Sequence, residues 1–164
     1  MGQWLPAYAE RELGFARVAG GLSLAGFAVI MAVTRLLAPI ADRRIGGHGL
    51  MIVSGFGSCL FFVLGATLGH PVLALAACLL VGFCCSALWP THLGVTADRF
   101  PMGGPSMFAL IAAFGNLGNI FAPYIEGVVA ERSDLSTALL VASIFPFMAG
   151  LISVGVRIAD KRAS

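Results

Sequence analysis

Residues 49–68, GLMIVSGFGSCLFFVLGATL, run for twenty positions without an Asp, Glu, Lys or Arg. A bilayer hydrocarbon core about 30 Å thick is crossed by roughly 20 apolar residues in a helix, so this stretch is long enough to span. Its neighbours say where it stops. Upstream lies the polar run ADRRIGGH (41–48), and downstream the short turn GHP (69–71). Further out the pattern repeats. Apolar segments at about 18–40, 71–95, 105–129 and 135–156 alternate with the polar connections TADRFPMGG (96–104) and AERSD (130–134). The expected fold is all-α: a polytopic membrane helix bundle of five transmembrane helices, without a long linker or a soluble domain.

Composition leads to the same solvent. Of 164 residues 59% are hydrophobic and 11% charged, with a mean hydropathy of +0.94. Soluble domains average about 25% charged residues, and a core of this size cannot hide so much apolar surface from water. Lipid is therefore the expected surrounding. A net charge of +2, spread along the chain, excludes nucleic acid as an expected partner. The 21 glycines have a use in lipid, where small residues let helices approach closely.

Basic residues set the orientation. Arg35, Arg43 and Arg44 flank the first connection, Arg99 the third, and Arg157, Lys161 and Arg162 the last residues. The second connection has no Lys or Arg, and the fourth is mostly acidic. This alternation predicts an extracytoplasmic N-terminal segment (1–17), a cytoplasmic tail (157–164) and a place in the plasma or inner membrane. Residues 1–12 form neither a signal peptide nor a complete span; with Trp4 and Tyr8 as interfacial aromatics, the segment reads as the end of a helix that begins earlier.

GFCCSALWPTHL (82–93) places two cysteines, a tryptophan and a histidine close together. A zinc site needs ligands that converge, whereas Cys85 and His92 lie two turns apart, about 10 Å along a helix. Cys84 and Cys85 are adjacent and make no CxxC pair. The four cysteines (59, 78, 84, 85) all lie in apolar runs and read as small buried hydrophobes. No metal and no cofactor is expected. Pro90 removes a backbone hydrogen bond and kinks its helix. The spacing of Cys78, Cys85, Trp89 and His92 puts them on one helical face, with Trp89 serving either as a stacking surface for a ligand or as core packing.

In the fourth span, AAFGNLGNIFAP (112–123) carries Asn116 and Asn119 three residues apart, on neighbouring positions of one face. Phe108, Ala112 and Pro123 fall close to that face at 100° per residue. Carboxamides at membrane depth both donate and accept hydrogen bonds. They line a polar solute's path, or they tie helices together. In RLLAPIADRRIGG (35–47), Arg35 can snorkel to the interface, Pro39 ends the helix, and Asp42-Arg43-Arg44 sits at the membrane edge. That run is either an ordinary positive-inside loop or a charged latch between helices.

No catalytic constellation is visible. GFGSC (55–59) and GNLGN (115–119) lack the strand–turn–helix context of a nucleotide loop, and no serine has the surroundings of a nucleophile elbow. His48, His70 and His92 are read as lying near different membrane edges, and Asp98 and Glu126 near helix ends where water solvates them. An enzyme is not expected.

The order of these elements resembles the C-terminal half of a major facilitator superfamily transporter over nearly the whole chain. LAPIADRRIG (37–46) is similar to that family's GxxxDRxGRR loop, with Asp42, Arg43 and Gly46 on matching residue types. Ala38 stands in place of the first glycine, one extra residue precedes Gly46, and Gly47-His48 replaces the final basic pair. SALWPT (86–91) and GNLGNIFAPYIEGVVAE (115–131) are similar to the tenth and eleventh helices of fucose-type sugar permeases. The resemblance implies a twelve-helix parent in two halves with the solute between them. The five spans then correspond to helices eight to twelve and residues 1–17 to the outer end of helix seven. It implies secondary-active movement of a small polar solute, a sugar or an organic anion, by alternating access. Asn116, Asn119, Trp89, Thr91 and Phe108 would line the substrate pathway, and Asp42, Arg43 and Gly46 would form the cytoplasmic latch. The expected partners are the lipid bilayer, the solute and the missing N-terminal half or other helices. The competing expectation is a truncated or small non-transporting membrane protein that packs with other helices.

Overall fold

The computed structural model describes residues 2–163. They form eight α-helices: α1 (Leu5–Arg11), α2 (Arg17–Ile45), α3 (Gly47–Thr67), α4 (Pro71–Ser86), α5 (Leu88–Arg99), α6 (Gly104–Arg132), α7 (Leu135–Ala142) and α8 (Ile144–Ala163). No strand occurs among the described residues. In spanning terms the elements are five, because α4 with α5 and α7 with α8 each run as one apolar rod, Pro71–Arg99 and Leu135–Arg162. The chain is thus an all-α polytopic bundle with five helices long and apolar enough to cross a membrane.

Both interrupted rods break at a single residue, Ala87 and Ser143. Each lies three positions before a proline, Pro90 or Pro146. A proline deprives the carbonyl four residues upstream of its donor and crowds it. Those carbonyls belong to Ser86 and Ala142, the last residues of α4 and α7. Pro39 and Pro123, by contrast, sit inside uninterrupted helices. The expectation that Pro39 ends its helix is corrected: α2 continues to Ile45, stopping where Gly46 takes φ 73°. Only a glycine adopts that left-handed backbone at little cost. Asp42, Arg43 and Arg44 therefore ride on the last turn of α2 rather than in a loop. At the other end of the chain, Arg157, Asp160 and Lys161 extend α8 as helix, so the expected tail is helical through Ala163.

The helix α3 is the hub, packed against α4, α5, α7 and α8 as well as α2. Its crossing with α8 is very close: a Cβ on Gly55 would lie 2.8 Å from Gly150 Cα. Phe56 and Phe147 meet edge-on beside this crossing, with ring centroids 5.7 Å apart. The cysteines serve the same packing. The Cys78 Sγ lies against Gly65 and the Cys84 Sγ against Gly57, while Cys85 donates a hydrogen bond to Ser58 Oγ at 3.1 Å. One core forms near the α1 end, where Leu5, Tyr8, Phe27, Phe62, Cys78, Val81, Leu135 and Leu139 cluster. There the Tyr8 hydroxyl donates to the Gly65 carbonyl at 2.6 Å, and Glu12 Oε1 accepts from the Leu135 amide at 3.2 Å. These contacts fix the N-terminal segment to the end of the bundle.

The outside is apolar. Val29, Leu36, Val53, Leu60, Leu110, Phe114 and Ile120 are all exposed, which in water would be costly and in lipid is ordinary. The 29-residue helices α2 and α6 reach about 43 Å at 1.5 Å per residue, longer than the hydrocarbon core, so their ends enter the headgroup region. Among the spans α6 is the least covered; it packs chiefly on α7, and Glu126 is its one buried residue.

Candidate functional site

The residues singled out in the sequence fall into two groups. The first is on and beside α6. Asn116 and Asn119 flank the midpoint of this 29-residue helix, and both are exposed. Phe108, Ala112 and Pro123 on the adjoining stripe are half-buried. Trp89 comes to them from α5. A Cβ on Gly115 would lie 2.7 Å from the indole Cζ3, so the missing side chain there is what seats the ring on α6, one residue from Asn116. The other face of Trp89 remains open, with 42% of the residue exposed. The tryptophan is thus neither core nor free: it bridges α5 and α6 beside the two carboxamides.

Trp89 and His92 are both exposed, while Cys78 is buried and Cys85 half-buried against α3. Coverage of this rod therefore changes along its length, from the packed cysteines to the open Trp89 and His92.

The second group surrounds a cavity of about 500 Å³ at the end of the bundle away from α1. Pro90 and Thr91 from α5 and Asp42 from α2 line it, as the sequence suggested, and Arg35 joins them. Four further polar side chains were not anticipated: His48, Asp98, Arg99 and Asp160. Gly47 makes this corner tight, since a Cβ there would lie 2.5 Å from Val95 Cγ2 and 3.4 Å from Asp42 Oδ1. Asp160 Oδ2 lies 3.1 Å from His48 Nε2, and Asp160 Oδ1 accepts a hydrogen bond from Arg99. Arg43 and Gly46 are exposed at the α2–α3 junction. Gly46 lines a shallower recess with Arg157, Asp160 and Lys161; Arg43 lines neither.

Two further expectations change. His48 and His92 do not mark different edges, because both line one apolar recess of about 420 Å³ between α3, α5 and α8. Glu126 is not open to water at its helix end: it is 5% exposed, and the Trp4 ring lies 3.2 Å from where a Cβ on neighbouring Gly127 would stand. The N-terminal segment folds over it. Among the described residues no group of three His, Cys, Asp or Glu could hold a metal ion.

Chemically, the α6 face offers two neutral donor–acceptor amides beside an aromatic plane. The end cavity offers interleaved acids and bases.

A family profile of the Major Facilitator Superfamily matches residues 2–164. The chain is also similar to the probable nitrate/nitrite transporter NarK2 of Mycobacterium tuberculosis, in two strains. Identity is 28% over 139 residues, covering 80% of this chain and 34% of the relative. The chain therefore spans about a third of the length of the curated relatives it matches. No solved structure is matched.

Proposed function

The chain belongs to the major facilitator superfamily, and from that premise we propose that it is the C-terminal portion of a secondary-active transporter. It is a multi-pass membrane protein; the proposal concerns what it moves and how. The cargo is a small polar solute, carried by alternating access between this bundle and a second half laid against α2 and α6. The observation that carries the proposal is the position of Asn116 and Asn119. Both stand within about 3 Å of the α6 midpoint along the axis, at 1.5 Å per residue, exposed and beside the open face of Trp89. Polar side chains at membrane depth are costly unless a partner or a pathway uses them, and within this bundle the α6 face is uncovered.

The similarity to NarK2, a probable nitrate/nitrite transporter, favours a nitrate-like anion over the sugar or organic anion expected from the sequence. A planar oxyanion accepts hydrogen bonds from the amide NH₂ groups of both asparagines and fits flat beside an indole. Phe108 and Thr91 border the same route from α6 and α5. The cavity end, with Arg35, Arg99 and the basic turns of α2 and α8, faces the cytoplasm. There Asp42 and Arg43 act as the latch about the Gly46 hinge. The setting is the plasma or inner membrane.

The test is uptake by the full-length parent reconstituted in liposomes, offered nitrate, nitrite, small organic anions and monosaccharides. Asn116→Ala and Asn119→Ala are expected to weaken uptake of the cognate solute about tenfold each, the loss of a hydrogen bond that must be replaced by water. Wild-type rates in both variants would sink the pathway assignment.

A further inference from the structure

The recess between α3, α5 and α8 lies outside the α6 face and the end cavity. At about 420 Å³ it falls in the ordinary range for a bound small molecule, about 300–1,000 Å³. Met51 on α3, Val95 on α5 and Ile152 on α8 make its walls apolar. The hydroxyls of Thr96 and Ser153, which also line it, are turned to the His92 and Ala149 carbonyls of their own helices. Arg99 and Phe100 stand at the mouth, both exposed, where α5 ends. Arg99 is steadied there by the Phe100 ring, 5.8 Å away at its centroid, and by Asp160. That hydrogen bond uses one of the five N–H donors of a guanidinium. His92 lies seven residues deeper, about 10 Å along the axis, and is exposed in the recess. Its backbone carbonyl serves Thr96, while an imidazole ring keeps at least one N–H to give whatever its charge. A polar ring at that depth is costly without a use. Among the described residues no Asp or Glu lines this recess, whereas Asp42, Asp98 and Asp160 all line the 500 Å³ cavity.

We propose that this recess binds one anionic phospholipid from the leaflet at that end of the bundle, its phosphate at Arg99, its ester oxygens toward His92 and part of an acyl chain against Met51, Val95 and Ile152. Each part of the site asks for a different part of that molecule. Arg99 is always charged and pairs with phosphate oxygens two at a time, and basic pockets between spanning helices take phosphorylated headgroups. A soluble anion would leave the apolar walls without a partner. A zwitterionic headgroup would bring a second, cationic group to a mouth that Arg157 and Lys161 flank beside Asp160. The lipid also has a structural consequence. Helix α5 buries no residue of its own, so a chain wedged between it, α3 and α8 supplies packing that the protein does not. The inference rests on the chain lying in a membrane and is independent of the solute it helps to move.

The experiment maps lipid contacts directly. The full chain is reconstituted in phosphatidylcholine vesicles doped with a photoprobe carrying a diazirine on its acyl chain. The probe is either phosphatidylglycerol or phosphatidylcholine, at equal mole fraction, and crosslinked peptides are located by mass spectrometry. The phosphatidylglycerol probe is expected to mark Met51, Val95 and Ile152 about fivefold more than the phosphatidylcholine probe, the bias that one basic residue gives an anionic lipid. Leu60, exposed on the other half of α3, takes both probes equally. Arg99→Gln brings the ratio at the recess to that of Leu60. Ile152→Trp fills the recess from an exposed position and cuts labelling there by both probes, with helix content checked by circular dichroism. Excess inorganic phosphate leaves the ratio unchanged. Equal labelling by the two probes in the unaltered chain, or a recess that neither probe marks, overturns the proposal. So does a ratio that survives Arg99→Gln, or one erased by inorganic phosphate, which would make the mouth a site for a free anion. Arg99 is exposed at a helix end, so its substitution keeps the test decisive even where Ile152→Trp disturbs folding.

Discussion

Gly55→Ala puts one methyl group into the tightest helix crossing of the bundle. The new carbon would lie 2.8 Å from both the N and Cα of Gly150 and 2.9 Å from the Pro146 carbonyl oxygen. Carbon contacts are ordinarily about 3.5–4.0 Å, and the atoms in the way are backbone, which cannot swing aside as a side chain can. Helices α3 and α8 must separate by about 1 Å at the crossing. That separation also loosens the edge-on contact of Phe56 with Phe147. Overpacking of a filled interior costs about 1–3 kcal/mol, and the obstructing backbone places this case toward the upper end. Against it stands the better helix propensity of alanine over glycine, about 1 kcal/mol. The clash wins, leaving a net loss of about 1–2 kcal/mol.

Gly21→Ala supplies the comparison, because nothing lies within 4 Å of a Cβ there. Only propensity remains, so that variant is expected to be unchanged or more stable by up to about 1 kcal/mol. The two substitutions, identical in chemistry, are thus expected to move stability in opposite directions. Reversible unfolding in mixed micelles with rising SDS fraction, followed by far-ultraviolet circular dichroism, measures both. If Gly55→Ala and Gly21→Ala agree within about 0.5 kcal/mol, the usual scatter between independent sites, the close approach of α3 and α8 does not support the bundle.

Two shorter predictions concern the other end of the bundle and the α6 face. The Thr137 amide donates to Asp134 Oδ1 at 2.5 Å, and this backbone hydrogen bond is the main cause that holds the Asp134 carboxyl below its ordinary range. A lowered folded value means that the cap's stabilisation is fully present above the unfolded carboxylate's value near 4 and is lost as pH falls through the folded one. Protection of the Thr137 amide from exchange, corrected for intrinsic rates, is therefore expected to drop on acidification in the parent and stay level in Asp134→Asn; a level parent profile refutes the cap. At the α6 face, Gly115→Ala brings a methyl within 2.7 Å of the Trp89 ring and forces the indole outward. In a Trp4→Phe background the emission maximum of Trp89 should shift, and an unshifted spectrum would mean that the ring does not rest on α6.

Much of this architecture is legible in sequence because lipid imposes a simple rule. A chain without water must satisfy its backbone internally, so a charge-free run such as 49–68 has one outcome, and the five spans follow from length and hydropathy. The ends of the spans are less legible. Hydropathy marks where lipid stops, whereas a helix stops where the backbone is forced to turn. On α2 that is Gly46, six residues beyond the expected end of the span at Ile40, so Asp42 and Arg43 read as loop but lie on helix. Proline shows the same limit. Each of Pro39, Pro90, Pro123 and Pro146 removes one donor, yet only Pro90 and Pro146 accompany an interruption. The local rule names the missing bond, and neighbouring packing decides how the turn accommodates it.

The site divides along the same line between local and distant causes. Asn116 and Asn119 are legible because their cost is local: two amides at mid-span demand a reason wherever the helix sits. His48, Arg99 and Asp160 are not, because each alone is an ordinary polar residue near a membrane edge, where water makes it inexpensive. Their meaning arises only when α3, α5 and α8 converge. What permits that convergence is a set of absences, Gly47 beneath Val95 and Gly55 beneath Gly150. A glycine in a hydrophobic run signals that something comes close without saying what. In this bundle the close neighbours are α5 at Gly47 and α8 at Gly55, and the ionic contact between them is set by the glycines as much as by the charges.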